Sequence, residues 1–278
     1  MFFILPDPRG HYLILPALDD KVGGWRDQSL LPDDCLDVTY LASTADPPGS
    51  VVLSYNSVGA GASQNHIHCH AWVCPPPPLS AAAAARRNDE GDAAAGGLPN
   101  GCYAATRADA VSHIDLAGGT RVSLLDYPCT CIRLSASGIP TSDGAATPRH
   151  PCPVLREVGE ALSRIVGMAR EMRAPHNVAW TTGPSPGDRD ARPGAGPSKA
   201  AAMAVDVYVF VRAAETTFRT GGAFRLGSSE MMGVFHSSSE EELESLSSVG
   251  VMGGILSDVS WEPRESVWRD VRAALETM

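Results

Sequence analysis

The segment that most restricts how this chain can fold is a run of three histidines spaced by two. His66, His68 and His70 alternate with Ile67, Cys69 and Ala71, and in an extended strand successive side chains point to opposite faces. The pattern predicts a strand over His66 to Val73, with three imidazoles on one face and small or apolar groups on the other. Just upstream, Gly59, Ala60, Gly61, Ala62 and Ser63 are small enough to let backbone approach a ligand and to offer N–H groups to anionic oxygens. Phosphate is the ligand this combination suggests.

Three imidazoles on one strand face can serve two chemistries. A neutral imidazole can attack phosphorus and form a phosphohistidine-type intermediate, dividing one difficult displacement into two easier ones. Alternatively, a His-x-His pair can hold zinc, with sulfur from Cys69 or Cys74. Cys69 should face away from the histidines, however, and Cys74 precedes Pro75 to Pro78. The bland reading, hydrogen-bonded histidines without chemistry, suits a lone His better than three in alternation after a glycine-rich turn. The nucleophilic reading needs no metal and no cofactor.

The rest of the chain supplies a scaffold. Strands are expected at His11 to Leu15, Ser50 to Asn56, Cys131 to Leu134, Asn177 to Thr181 and Val205 to Arg212. Leu155, Val158, Leu162, Ile165, Ala169 and Met172 recur at gaps of three and four, one stripe of a helix lying against a sheet. Ser239 to Glu242 fits a capping box ahead of Leu243 and Leu246, and Pro263 suits the first turn of a last helix with Val267, Val271 and Leu275 on one side. Strand runs with a few amphipathic helices predict an α+β fold with a mainly antiparallel sheet. Three stretches rich in Pro, Ala, Gly and Ser, residues 75–101, 135–153 and 183–200, read as disordered insertions that bury almost nothing. Without them the chain, 1–278, is the size of a single domain.

Charge and cysteine usage exclude several partners. The net charge is -10, and only Lys21 and Lys199 are lysines, so no cationic stripe exists for a nucleic-acid backbone. The apolar start from Met1 to Leu5 is too short for a signal-peptide core or a membrane span. Seven cysteines, scattered and odd in number, point to reduced thiols and a cytoplasmic address.

The residues also resemble a family. His66-Ile67-His68-Cys69-His70-Ala71-Trp72 matches the histidine triad pattern, and Pro8 to Pro16 is similar to the upstream Gly-His strand of that superfamily. The string Tyr55-Asn56-Ser57-Val58-Gly59-Ala60-Gly61-Ala62-Ser63-Gln64-Asn65-His66-Ile67-His68 resembles the GDP-hexose phosphorylases, plant GDP-L-galactose phosphorylase and animal GDP-D-glucose phosphorylase. Val122 to Pro128, Ala174 to Val178, Val207 to Phe210 and Ser229 to Gly233 are similar to later blocks of those enzymes.

The resemblance implies a histidine-triad-like fold and a guanylyltransferase. His68 would be the nucleophile, His66 would orient it by a backbone contact to its ring, and His70 would complete the triad. Ser63 and the N–H groups near Gly61 would hold α-phosphate oxygens, with Gln64 in the same string. Asn56 is either a ribose or phosphate contact or a residue that stabilises the loop. GDP-hexose would guanylylate His68 and release hexose 1-phosphate, and inorganic phosphate would then take the guanylyl group as GDP. The transferase branch usually has Gln where this chain has His70, as the hydrolase branches do, so water is the rival acceptor. The plant and animal enzymes carry a long segment ahead of the Gly-His strand, where this chain has about ten residues. A third hypothesis is therefore a silent member kept as a binding module. Triad proteins are often dimers, which leaves a homodimer open. His11 is expected to support structure, and His113, His150, His176 and His236 to be incidental.

Overall fold

The computed structural model describes residues 11–15, 26–45, 49–73, 104–139, 152–184, 203–219, 222–235, 240–246, 249–276 and 278. Its centre is an eight-stranded sheet made of β1 (His11–Ile14), β2 (Val51–Asn56), β3 (Cys69–Val73), β4 (Ala110–Asp115), β5 (Arg121–Leu125), β6 (Cys131–Ile139), β7 (His176–Pro184) and β8 (Met203–Val211). Their spatial order is β1-β3-β2-β7-β8-β6-β5-β4, and every pairing is antiparallel. A separate hairpin joins β9 (Thr216–Arg219) to β10 (Gly222–Arg225).

Each face of the sheet has its own apolar cluster. On one side Leu53, Tyr55, Ile67, Cys69, Val178, Trp180, Val207 and Val209 meet α1 (Pro32–Ser43), α2 (Pro153–Glu171) and α6 (Arg264–Leu275). The predicted stripe of α2 is the one that packs here. Leu155, Val158, Leu162, Ile165 and Ala169 are buried, and Met172 rests against the same cluster. Val267, Val271 and Leu275 of α6 are buried as their spacing requires. On the other side Val52, Leu125, Cys131, Ala179, Tyr208 and Phe210 meet α3 (Ser228–Met231) and α5 (Val249–Asp258). Between these two lies α4 (Glu240–Ser245); Ser239, the expected cap, is outside the described residues.

Several boundaries differ from expectation. The triad strand begins at Cys69, three residues later than predicted, because His66 to His68 pair with other partners: the N–H of Ile67 donates to the carbonyl of Arg26 (2.9 Å), and that of His68 to the side chain of Gln28 (2.9 Å). Two predicted insertions start too early. Ser135 to Ile139 continue β6 along β8, with a register shift at Gly138, whose φ of +75° only glycine adopts readily. Gly183 and Pro184 continue β7 opposite Ala204 and Met203. Residues 75–101, 140–151 and 185–200 are outside the described residues. The composition of α1 did not announce a helix. Its start is held by Asp34, which accepts the N–H of Leu31 (2.8 Å) and pairs with Arg26 (2.7 Å). No helix among the described residues is long and apolar enough to cross a membrane.

Candidate functional site

The site is built where β3 lies between β1 and β2. The register sets His70 opposite Leu13 on one side and Ser54 on the other, and Trp72 opposite His11 and Val52. These residues share the sheet face away from α1 and α2, while Ile67, Cys69 and Ala71 enter the core on the helix side. Cys69 is therefore turned from the histidines, and Cys74, the other sulfur considered for zinc, is outside the described residues. Among the described residues no cluster of three His, Cys, Asp or Glu side chains could hold a metal.

Although only His70 lies within the hydrogen-bonded strand, the chain stays extended enough for the three rings to form a row. Ring centroids are 5.5 Å apart for His66 and His68, and 5.1 Å for His68 and His70, the latter pair edge to face. His68 is 2% exposed. Its Nδ1 lies 2.8 Å from the carbonyl oxygen of His66. A carbonyl can only accept, so Nδ1 carries the proton and Nε2 carries the lone pair. Burial lowers the His68 pKa; the hydrogen bond to the His66 carbonyl opposes this and the His66 ring lowers it a little further, and the net shift is downward, toward the neutral ring. His70 is pushed down to about 3, first by burial and then by His68 and His11. Its Nδ1 is 2.8 Å from Nε2 of His11, whose ring stacks on Trp72 at 3.9 Å. His11 thus joins the third histidine of the row to Trp72.

Residues 57–65 form the loop between β2 and the triad. Gly61 is fixed there twice over. Its φ is +93°, and a Cβ would lie 2.7 Å from the carbonyl oxygen of Leu226 and 2.9 Å from Cα of Gly227, so a side chain would meet both strain and backbone. The carbonyl of Ala60 turns inward to Nδ2 of Asn177 (2.7 Å). In a trans peptide the following N–H points the opposite way, so the amide of Gly61 faces outward. The carbonyl of Ala62 accepts from Arg225 Nη2 (3.0 Å), which likewise turns the Ser63 amide away from that arginine. Ser63 and Gln64 are exposed, and no side-chain hydrogen bond joins either to the triad among the described residues. Asn56 is buried, and its Oδ1 accepts from Asn177 Nδ2 (2.7 Å) and from the N–H of Ser228 (2.9 Å). That oxygen stabilises the loop and is already occupied by protein donors.

Four buried residues that the sequence did not single out hold this assembly together. Gln28 donates to the carbonyls of Asn56 (2.7 Å) and His68 (3.2 Å) and accepts from the N–H of His68 (2.9 Å), so it grips the His68 backbone from both sides. Asn177, Ser228 and Arg212 complete the network. A polar residue leading into an apolar strand run, such as Asn177 ahead of Val178, Ala179 and Trp180, was the available signal. Glu230 closes the first turn of α3 by accepting the N–H of Gly227 (2.8 Å). His176 is on the opposite sheet face, and His113 is on the edge strand β4. His150 and His236 are outside the described residues.

No protein-family model matches the sequence, and no curated protein matches it. Solved structures do. A yeast Ap4A phosphorylase, Apa2, in complex with AMP is 13% identical over 90% of this chain and 68% of its own, with a TM-score of 0.51. A uridylyltransferase is 12% identical over 96% of this chain and 75% of its own, with a TM-score of 0.43. A GalT-like protein from Arabidopsis thaliana is 14% identical over 93% and 87%, with a TM-score of 0.36. The first of these, with the sheet described above, establishes the histidine-triad-like α+β fold expected from the sequence.

Proposed function

We propose that this histidine-triad-like chain is a nucleotidyltransferase that cleaves a GDP-hexose with inorganic phosphate. The observation that carries the reading is the 2.8 Å contact from Nδ1 of His68 to the carbonyl oxygen of His66, which leaves the lone pair of a neutral ring on Nε2. Nε2 attacks the α-phosphorus, the bond to the bridging oxygen breaks, and hexose 1-phosphate leaves. An oxygen of inorganic phosphate then attacks the guanylyl-His68 phosphorus, giving GDP and restoring the imidazole. The outward amides of Gly61 and Ser63 are suitable donors for the α-phosphate oxygens as charge shifts in the transition state. The shared fold of a yeast Ap4A phosphorylase solved with AMP is consistent with this chemistry.

A second reading, hydrolysis by the same nucleophile, is favoured by one observation. The third triad position is a histidine, hydrogen-bonded to His11, in place of the glutamine usual in the transferase branch that the sequence resembles. Incubation with labelled GDP-glucose or GDP-L-galactose, with and without phosphate, separates the two. Phosphate-dependent GDP supports the transferase, and GMP supports the hydrolase. A His68→Ala variant with wild-type turnover and wild-type labelled adduct would overturn both.

A further inference from the structure

Beneath the glycine-rich loop sits a cation that no carboxylate touches among the described residues. Arg212, directly after β8, is 0% exposed. Its Nε donates to the carbonyl of Ala214 (3.0 Å), Nη1 to Oδ1 of Asn177 (3.0 Å) and to the carbonyl of Leu226 (2.8 Å), and Nη2 to the carbonyl of Glu215 (2.8 Å). All four acceptors are uncharged. Two carboxylates lie close enough to act on it through space, and both are engaged elsewhere. Glu215 pairs with Arg225, and Glu230 accepts from the N–H of Gly227 and the hydroxyl of Ser229. The nearby Cys129 thiol is pushed up to about 12 by burial, so it stays neutral. Burial pulls Arg212 down only to about 10, so it remains charged at neutral pH. Neutral donors do not cancel the charge of Glu230, so Arg212 is compensated at a distance but, among the described residues, by no carboxylate in contact, and a buried cation in that position still gains from a further anion.

The acceptors of Arg212 lead to the loop by two routes. Asn177, held through its oxygen, uses its amide to fix the carbonyl of Ala60 and Oδ1 of Asn56. Leu226, held through its carbonyl, is the residue against which Gly61 packs. One guanidinium thus supports both residues that hold the loop at Ala60 and Gly61.

We propose that Arg212 is the built-in counter-charge of this site, a positioning residue that acts through Asn177 and Leu226 and makes the loop select phosphorylated ligands over uncharged ones. The proposal rests on the reading of the site as a nucleotidyl-transfer centre.

Asn56→Asp in the full-length protein tests it. Oδ1 remains an acceptor for Asn177 and Ser228, so the loop keeps both bonds, while a negative charge is added one side chain from Arg212. The expected result is an unchanged or raised melting temperature, GMP affinity lower by about tenfold and guanosine affinity unchanged. Arg212→Lys keeps the charge but loses the fork, and should lower stability while retaining most of the preference for GMP over guanosine. Wild-type GMP binding by Asn56→Asp, or an equal loss of GMP and guanosine, would overturn the counter-charge role. If the wild-type protein binds GMP no better than guanosine, the reading of the site fails first, and this inference falls with it.

Discussion

Gln28 offers the sharpest perturbation of the proposed nucleophile, because it is hydrogen-bonded to His68 only through the backbone and not to the imidazole. It is 4% exposed and its side chain makes three hydrogen bonds, two of them to the N–H and carbonyl of His68 itself. Gln28→Met fills similar volume and removes all three. The N–H of His68 and the carbonyl of Asn56 then lose a buried partner, at ~1–3 kcal/mol each, so a loss of about 3 kcal/mol is expected. For a domain of this size each kcal/mol moves the melting temperature by roughly 2–4 °C, giving a fall of about 6–12 °C in a thermal melt. The ring should also lose its alignment. A displacement near 1 Å costs on the order of 100-fold in rate, so labelling of His68 by a GDP-hexose should slow that much even in the cold, where the variant is folded. A melting temperature within about 2 °C of wild type, together with wild-type labelling, would refute the claim that Gln28 holds the nucleophile.

Two further outcomes follow from the same geometry. Gly61→Ala, with a Cβ 2.7 Å from the Leu226 carbonyl oxygen on a backbone at φ +93°, should cost ~2–4 kcal/mol through strain and overpacking; a urea melt reads this, and a change below 1 kcal/mol would contradict the packing described. His176, 3% exposed, has Nδ1 bound to the Ala174 carbonyl and a buried Nε2 with no partner, and burial pulls it down to about 4. The unfolded chain therefore binds a proton that the native state refuses. Stability from this group is complete above the unfolded value near 6.5 and is lost as pH falls toward 4, by about 2 kcal/mol between pH 7 and pH 5. His176→Gln should flatten that slope in melts run across the window, and an unchanged slope would assign the loss to other groups.

How much was legible in the sequence follows the range of each interaction. The alternation of His66, His68 and His70 with core residues is local, and the structure keeps it even though only the last histidine is within the strand. The stripes of α2 and α6 were equally plain, since spacing alone decides which side can be buried. Ser135 to Ile139 misled because small residues read as loop until a partner strand supplies their hydrogen bonds.

The sequence by itself determined the fold class, the row of imidazoles and the small residues before them, because side-chain period and backbone permissiveness are properties of neighbours along the chain. Only the tertiary structure decided which atom of His68 is free, what holds its backbone, and that Asn56 faces protein donors. Gln28 lies 40 residues from His68, and Arg212 lies 35 from Asn177. Hydrogen bonds between such distant residues have no period to read, and a buried polar group declares its purpose only when its partners are seen.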